Sequence, residues 1–319
     1  MSVAMIVTKF CNHVLGILCI ALSLGAAPVG GYSHPSLPFE KIQIKSKKPN
    51  SPTVELLTHE CQLDPLTQSK IYRGIQFQYD FYAQHLGYDF SSNLVVRIRI
   101  FRDADTYRAF IDANYPHIPK TWIGVYLSGV NEILVSLEKD EDAFYKNIFH
   151  ETSHLLLTDK VKNCPNWLNE GLAEYFEFMD IEGEEVVIHP QVIKDTRIKN
   201  WLSNHRMPDL LSSISMTNKE WNFNDNVSET DEPRTLGWSI AYFMMSNQQG
   251  QDCIKGLLSH LAKNARDTQA SVQAIDMSYP GGSKKLVQDW KEWIPKEHLN
   301  HEYLVSPEEN QTQTALINE

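Results

Sequence analysis

The chain has 319 residues, 42% of them hydrophobic and 10% aromatic, enough apolar material for a globular core. Its formal charge of -11 and isoelectric point near 5.6 exclude a nucleic-acid backbone or an anionic lipid surface as the main partner, since neither is drawn to a net-negative protein.

At the N-terminus, Lys9 precedes an apolar run from Val14 to Val29 that ends in small residues and Pro28. That is the pattern of a secretory signal, shorter than the roughly 20 apolar residues that span a bilayer. The expectation is cleavage near Gly25 and an exported protein, periplasmic or extracellular. A membrane enters only if the segment is left uncleaved. Cys11 and Cys19 would leave with it, so Cys61, Cys164 and Cys253 remain, with no pairing fixed by sequence.

Residues 32–64 are rich in Pro, Ser and Lys around one possible strand, "EKIQIK", and read as an exposed lead-in. From Pro65 to Leu86, Ile71, Ile75, Phe77 and Phe81 keep helical spacing. "NLVVRIRIF" alternates Val96, Ile98 and Ile100 with Arg97 and Arg99, a half-buried strand. Asp103 can cap a helix with the face Tyr107, Phe110 and Ile111, ending at Pro116. "WIGVYLS" and "NEILVSLE" follow as two strands divided by Gly129, and the second is placed to be a sheet edge open to an extended peptide. After about residue 190 helices dominate, among them "TLGWSIAYFMM", "CIKGLLSHLAK" and "KKLVQDWKEWI". Residues 303–319 are polar and read as a disordered tail. Asn226 and Asn310 sit in N-x-[ST] acceptor patterns.

The chemistry concentrates in "NIFHETSHLLLTDKVKNCPNWLNEGLAEYFEF". His150, Glu151 and His154 form H-E-x-x-H in an apolar helix, Phe144 to Leu157. Positions four apart differ by about 40° and roughly 6 Å of rise, so both imidazoles leave one face and can share one metal. A catalytic Zn²⁺ site needs a third protein ligand and an open position. Glu170 and Glu174 sit one turn apart on a second helix beginning near Pro165. One of them can bind metal while the other holds a ligand imidazole by its free N–H. Charged side chains in so apolar a helix would be expensive to bury unpaired, which argues for a metal over a polar surface.

At these residues the chain resembles the gluzincin zinc metallopeptidases, which share "WLNEG" after an HExxH motif. The compact peptidase-MA-like families, with their P-W-L-x-E-G-L-A-E-Y phrase, are the closer resemblance, over roughly residues 65–295. The resemblance implies Zn²⁺ held by His150, His154 and Glu170, Glu151 as general base, and Glu174 orienting the first histidine. It also implies an oxyanion donor at the start of a later helix. There Arg234 takes the place of a Tyr expected four residues before Trp238, and Tyr242 lies two turns on. The spacing from the last His to the Glu is shorter than in aminopeptidases, and no G-x-M-E-N exopeptidase phrase stands upstream.

The expected fold is α+β. Residues 1–31 form the signal segment, 32–64 the lead-in, 65–180 an α+β zincin subdomain, 181–302 a helical subdomain and 303–319 the tail. The expected function is an exported zinc endopeptidase acting on peptides or proteins. The alternative is a catalytically degenerate zincin-fold binding protein, kept open by Arg234.

Overall fold

A computed structural model of the protein describes residues 39–46, 50–119, 121–183, 185–227, 231–263, 270–304 and 312–317. The expected signal segment lies outside these residues. Among them, no helix is long and apolar enough to cross a membrane.

The fold is α+β, and its first correction concerns the lead-in. Strands β1 (Glu40–Ser46) and β2 (Thr53–His59) pair antiparallel inside the main sheet. In β2, Val54, Leu56, Leu57, Thr58 and His59 are all buried. A strand covered on both faces loses the alternation by which strands are recognised.

Asp64 then caps helix α1 (Pro65–Gln84), accepting from Leu66 N at 2.9 Å and Thr67 N at 3.1 Å. This helix is the crossover that lays β3 (Val95–Phe101) parallel to β2. Helix α2 (Ala104–Asn114), capped by Asp103, is the next crossover, and it leads to the hairpin of β4 (Gly124–Leu127) and β5 (Glu132–Ser136). β5 pairs parallel with β3.

The resulting order is β4-β5-β3-β2-β1-β9, where β9 (Thr312–Ile317) pairs antiparallel with β1. Two expectations change here. The outer strand is β4, not "NEILVSLE", because parallel pairing with β3 draws β5 inside. Part of the supposed disordered tail is a sheet strand, since β1 offers it an otherwise unpaired edge.

One face of the sheet carries the large core that includes Ile98, Ile133, Val135 and Tyr126 together with residues of α1. The other face carries a smaller cluster around Phe101, Phe110, Val125 and Leu134. Helix α3 (Glu141–Thr158) packs on the first face, against β4, β5 and α1, and its apolar residues Phe144, Ile148 and Leu155 join the large core. Helix α4 (Asn166–Glu177) follows beside it.

A second sheet was not anticipated: β6 (Met179–Glu182), β7 (Glu185–Ile188) and β8 (His301–Leu304), all antiparallel. β6 and β7 are four residues each and are joined at Gly183, whose φ of 54° suits a tight hairpin. Strands so short leave little periodic signal. The remainder is helical: α5 (Val192–Ser203), α6 (Leu210–Ile214), α7 (Asn218–Val227), α8 (Glu232–Met245), α9 (Gln248–Lys263), α10 (Ala270–Ser278) and α11 (Gly282–Trp293).

Helix α8 packs on α4 through facing glycines. A Cβ on Gly171 would stand 2.4 Å from the Gly237 carbonyl oxygen, and one on Gly237 would stand 3.0 Å from that of Trp167. Backbone atoms cannot give way as side chains do. Gly171→Ala is therefore expected to lose about 1–3 kcal/mol of stability in denaturant unfolding. Unchanged stability would mean that the helices are not held at this separation.

Candidate metal centre

Asp140 caps α3 by accepting from Asp142 N at 3.1 Å and Ala143 N at 3.4 Å. Two turns further on, His150 and His154 leave the same face. Their ring centroids are 4.8 Å apart. Glu170 of α4 meets them: His150 Nε2 lies 3.6 Å from Glu170 Oε2 and His154 Nε2 lies 3.8 Å from Glu170 Oε1. One donor atom from each of the three residues falls within 4.8 Å of the others, so the group could hold a metal ion. All three side chains are buried, at 0%, 1% and 2% exposure.

The outer ring nitrogens are fixed. His150 Nδ1 is 3.0 Å from Glu177 Oε2, and His154 Nδ1 is 3.0 Å from Asn169 Oδ1. Carboxylate and amide oxygens accept, so each Nδ1 carries the proton and each Nε2 turns a lone pair toward Glu170. His154 Nε2 is buried and has no hydrogen-bond partner among the described residues. Burial also lowers the pKa of His154, against the opposing pull of Glu170, which favours the neutral ligand form. Two neutral imidazoles and a carboxylate, with a buried nitrogen left over, fit a borderline cation such as Zn²⁺.

Glu174 does not orient His150; Glu177 does. On α4, Glu177 follows Glu170 by seven residues and so lies about 20° to one side of it, while Glu174 lies about 40° to the other. Glu177 thus faces α3 and Glu174 faces away. The Glu170–Glu177 spacing was available in the sequence.

Glu174 instead belongs to a buried network of charges. Its Oε1 is 3.4 Å from Arg234 Nη1, and its Oε2 accepts from Lys194 Nζ of α5. Arg234 Nη1 is also 2.9 Å from Glu170 Oε2, and its Nε is 3.0 Å from Asp225 Oδ2 of α7. Burial alone would raise Glu170, but Arg234, His154 and His150 outweigh it and hold the carboxyl at about 2. Burial dominates at Glu174 and pushes it up to about 7 despite Lys194 and Arg234. Arg234 therefore does reach the site, gripping carboxylates. The contact of Gly171 with Gly237, one residue past Glu170 on α4 and three past Arg234 on α8, brings the two helices close enough for Arg234 to approach Glu170.

Tyr242 does not join the site. Its hydroxyl shares its one hydrogen between Leu299 O at 3.0 Å and Ile188 O at 3.2 Å, and its ring stacks on His301. Eight residues past Arg234 on a helix is about 12 Å further along its axis.

Glu151 points to the sheet, where its Oε2 accepts from Tyr126 N of the outer strand β4 at 2.7 Å. Asn218 of α7 braces the entry to α4, accepting from Asn166 N at 2.9 Å and donating to Cys164 O at 3.1 Å. Cys61, Cys164 and Cys253 are all free thiols, and burial raises Cys164 far above the usual thiol range, which leaves it inert.

A protein family described as "Protein of unknown function (DUF1570)" matches residues 146–266, a stretch that holds His150, His154, Glu170 and Arg234. None of the curated proteins matches the chain.

Proposed function

We propose that this chain is an exported zinc-dependent metallopeptidase that hydrolyses internal peptide bonds. The reading is carried by the buried trio His150, His154 and Glu170, with both Nδ1 atoms occupied and both Nε2 atoms turned to one point. Export rests on the apolar segment Val14–Val29.

Zinc bound there supplies Lewis acidity, polarising a carbonyl and acidifying water. Glu151 adjoins the trio on α3 and is the general base: it accepts a proton from the attacking water and delivers it to the leaving amine. Tyr126 N–H fixes Oε2 of that carboxylate, so the base is tied to strand β4. β4 is the outermost strand at its end of the sheet, which suits pairing with an extended peptide. Arg234 keeps Glu170 ionised and in place, and Glu177 and Asn169 set the imidazoles.

A second reading, a zincin-fold protein that binds a partner without turnover, draws support from the same arginine. Arg234 already puts a positive charge 2.9 Å from the third ligand, which a metal would have to share.

Metal analysis separates the two. The purified chain starting near Tyr32 is expected to carry about one zinc, and His154→Ala to carry none, since a site left with two protein ligands no longer holds the ion. A parent protein devoid of zinc after loading and dialysis would sink the peptidase reading.

A further inference from the structure

The α3 face that carries the metal-binding pair holds one more polar residue. Asn147 lies one turn before Glu151, about 40° around the helix from it and about 20° from His154. It is fully buried, at 0% exposure, on a helix whose Phe144, Tyr145, Ile148 and Phe149 are buried too. Neither Oδ1 nor Nδ2 has a hydrogen-bond partner among the described residues.

The outer strand shows what the base of this side chain faces. A Cβ built on Gly124 of β4 would be 3.6 Å from Asn147 Cβ and 3.6 Å from Glu151 Cγ. The residue and the general base therefore border the strand at the same point, together with Val135 of β5, whose Cγ1 would be 3.5 Å away, and Gly124 places no side chain of its own between them. A buried donor and acceptor both left unmade destabilise a fold, and an apolar residue of the same size would suit this core better. Where a sequence breaks such a rule beside a cluster of reactive groups, function is the usual reason.

We propose that Asn147 is a substrate-positioning residue whose carboxamide receives an amide group of the substrate, taking its C=O on Nδ2 and its N–H on Oδ1. This rests on the peptidase reading and adds to it a preference for one polar group at a fixed place beside Glu151. The amide can come from a Gln or Asn side chain or from the peptide backbone.

The test uses Asn147→Leu, which keeps the branched outline at a larger bulk and removes both polar atoms, beside the smaller Asn147→Val. Asn147→Leu is expected to raise the melting temperature by about 2–4 °C, because two unmet hydrogen-bonding groups disappear. Binding is then measured by fluorescence anisotropy on zinc-loaded Glu151→Gln protein, so that peptides are not consumed. The probes are fluorescein-labelled tetrapeptides carrying Gln or Met at each position in turn. The parent is expected to favour Gln over Met about tenfold at one position, and Asn147→Leu to lose that preference. If the amide is a backbone one, Gln and Met bind alike and N-methylation of one peptide bond weakens binding to the parent alone.

A melting temperature lowered in Asn147→Val as well as in Asn147→Leu would overturn the proposal, since overpacking by the larger residue would not explain it and the side chain would then be making structural bonds. So would unaltered peptide affinities in Asn147→Leu. A zinc-loaded parent that binds no peptide sinks the peptidase reading and this inference with it, whereas peptide binding indifferent to Asn147 sinks the inference alone.

Discussion

Glu151→Gln is expected to lower kcat on a peptide substrate by about 10²–10⁴-fold while zinc content and KM stay near those of the parent. The substitution preserves shape, and the glutamine side-chain oxygen can still accept from Tyr126 N, so α3 and β4 keep their contact. His150 and His154 keep their Nδ1 partners, Glu177 and Asn169, which the change does not touch. What disappears is the basic oxygen pair that accepts a proton. A structural role for Glu151 would show as lost stability or lost zinc. A binding protein would show no turnover in either form. Equal kcat in parent and variant, with zinc present in both, would remove Glu151 from the chemistry.

The contrast between what the sequence disclosed and what it hid follows from the range of the interactions. HExxH was readable because its spacing is a property of one helix, and Glu170 because a short loop and a second helix must return it to the first. Glu177 is equally local, but Glu174 lies nearer in sequence and only the helix angle shows that it is on the wrong side of α4. The hairpin of β4 and β5 was readable as a pair, yet its order in the sheet was not, since it is set by pairing of β5 with β3 more than thirty residues upstream. β2 was hidden by burial on both faces. Arg234 stood out by its place before Trp238, but its partner Asp225 and the Lys194 that shares Glu174 with it come from α7 and α5, and only tertiary packing brings them together. Asn147 gave no signal in the sequence, because an asparagine in a helix is ordinary until its burial and its lack of partners are known.

Arg234→Leu is expected to be the most destabilising single change in the site, at about 3–5 kcal/mol. The charge count explains the size. Glu170, Glu174 and Asp225 are three buried carboxyls, held by the two cations Arg234 and Lys194, each of the five side chains 11% exposed or less. Removing Arg234 leaves Lys194 alone, and Lys194 reaches Glu174 rather than Glu170 or Asp225. Two carboxylates then lose the partner that offset their desolvation, and water cannot reach them to replace it. In the apo protein this should lower the melting temperature by roughly 10 °C. Arg234→Lys should fall between, because one ammonium cannot span the fork that touches Glu170, Glu174 and Asp225 together. The decisive measurement is a double-mutant cycle with Asp225→Asn. If the loss in Arg234→Leu comes from uncompensated buried charge, removing one of the stranded carboxylates should restore part of it, and the double variant should be more stable than the sum of the singles by about 0.5–3 kcal/mol. Additive losses would mean that Arg234 stabilises through the packing of its stem against α4, and that the carboxylates beside it are neutral without its help.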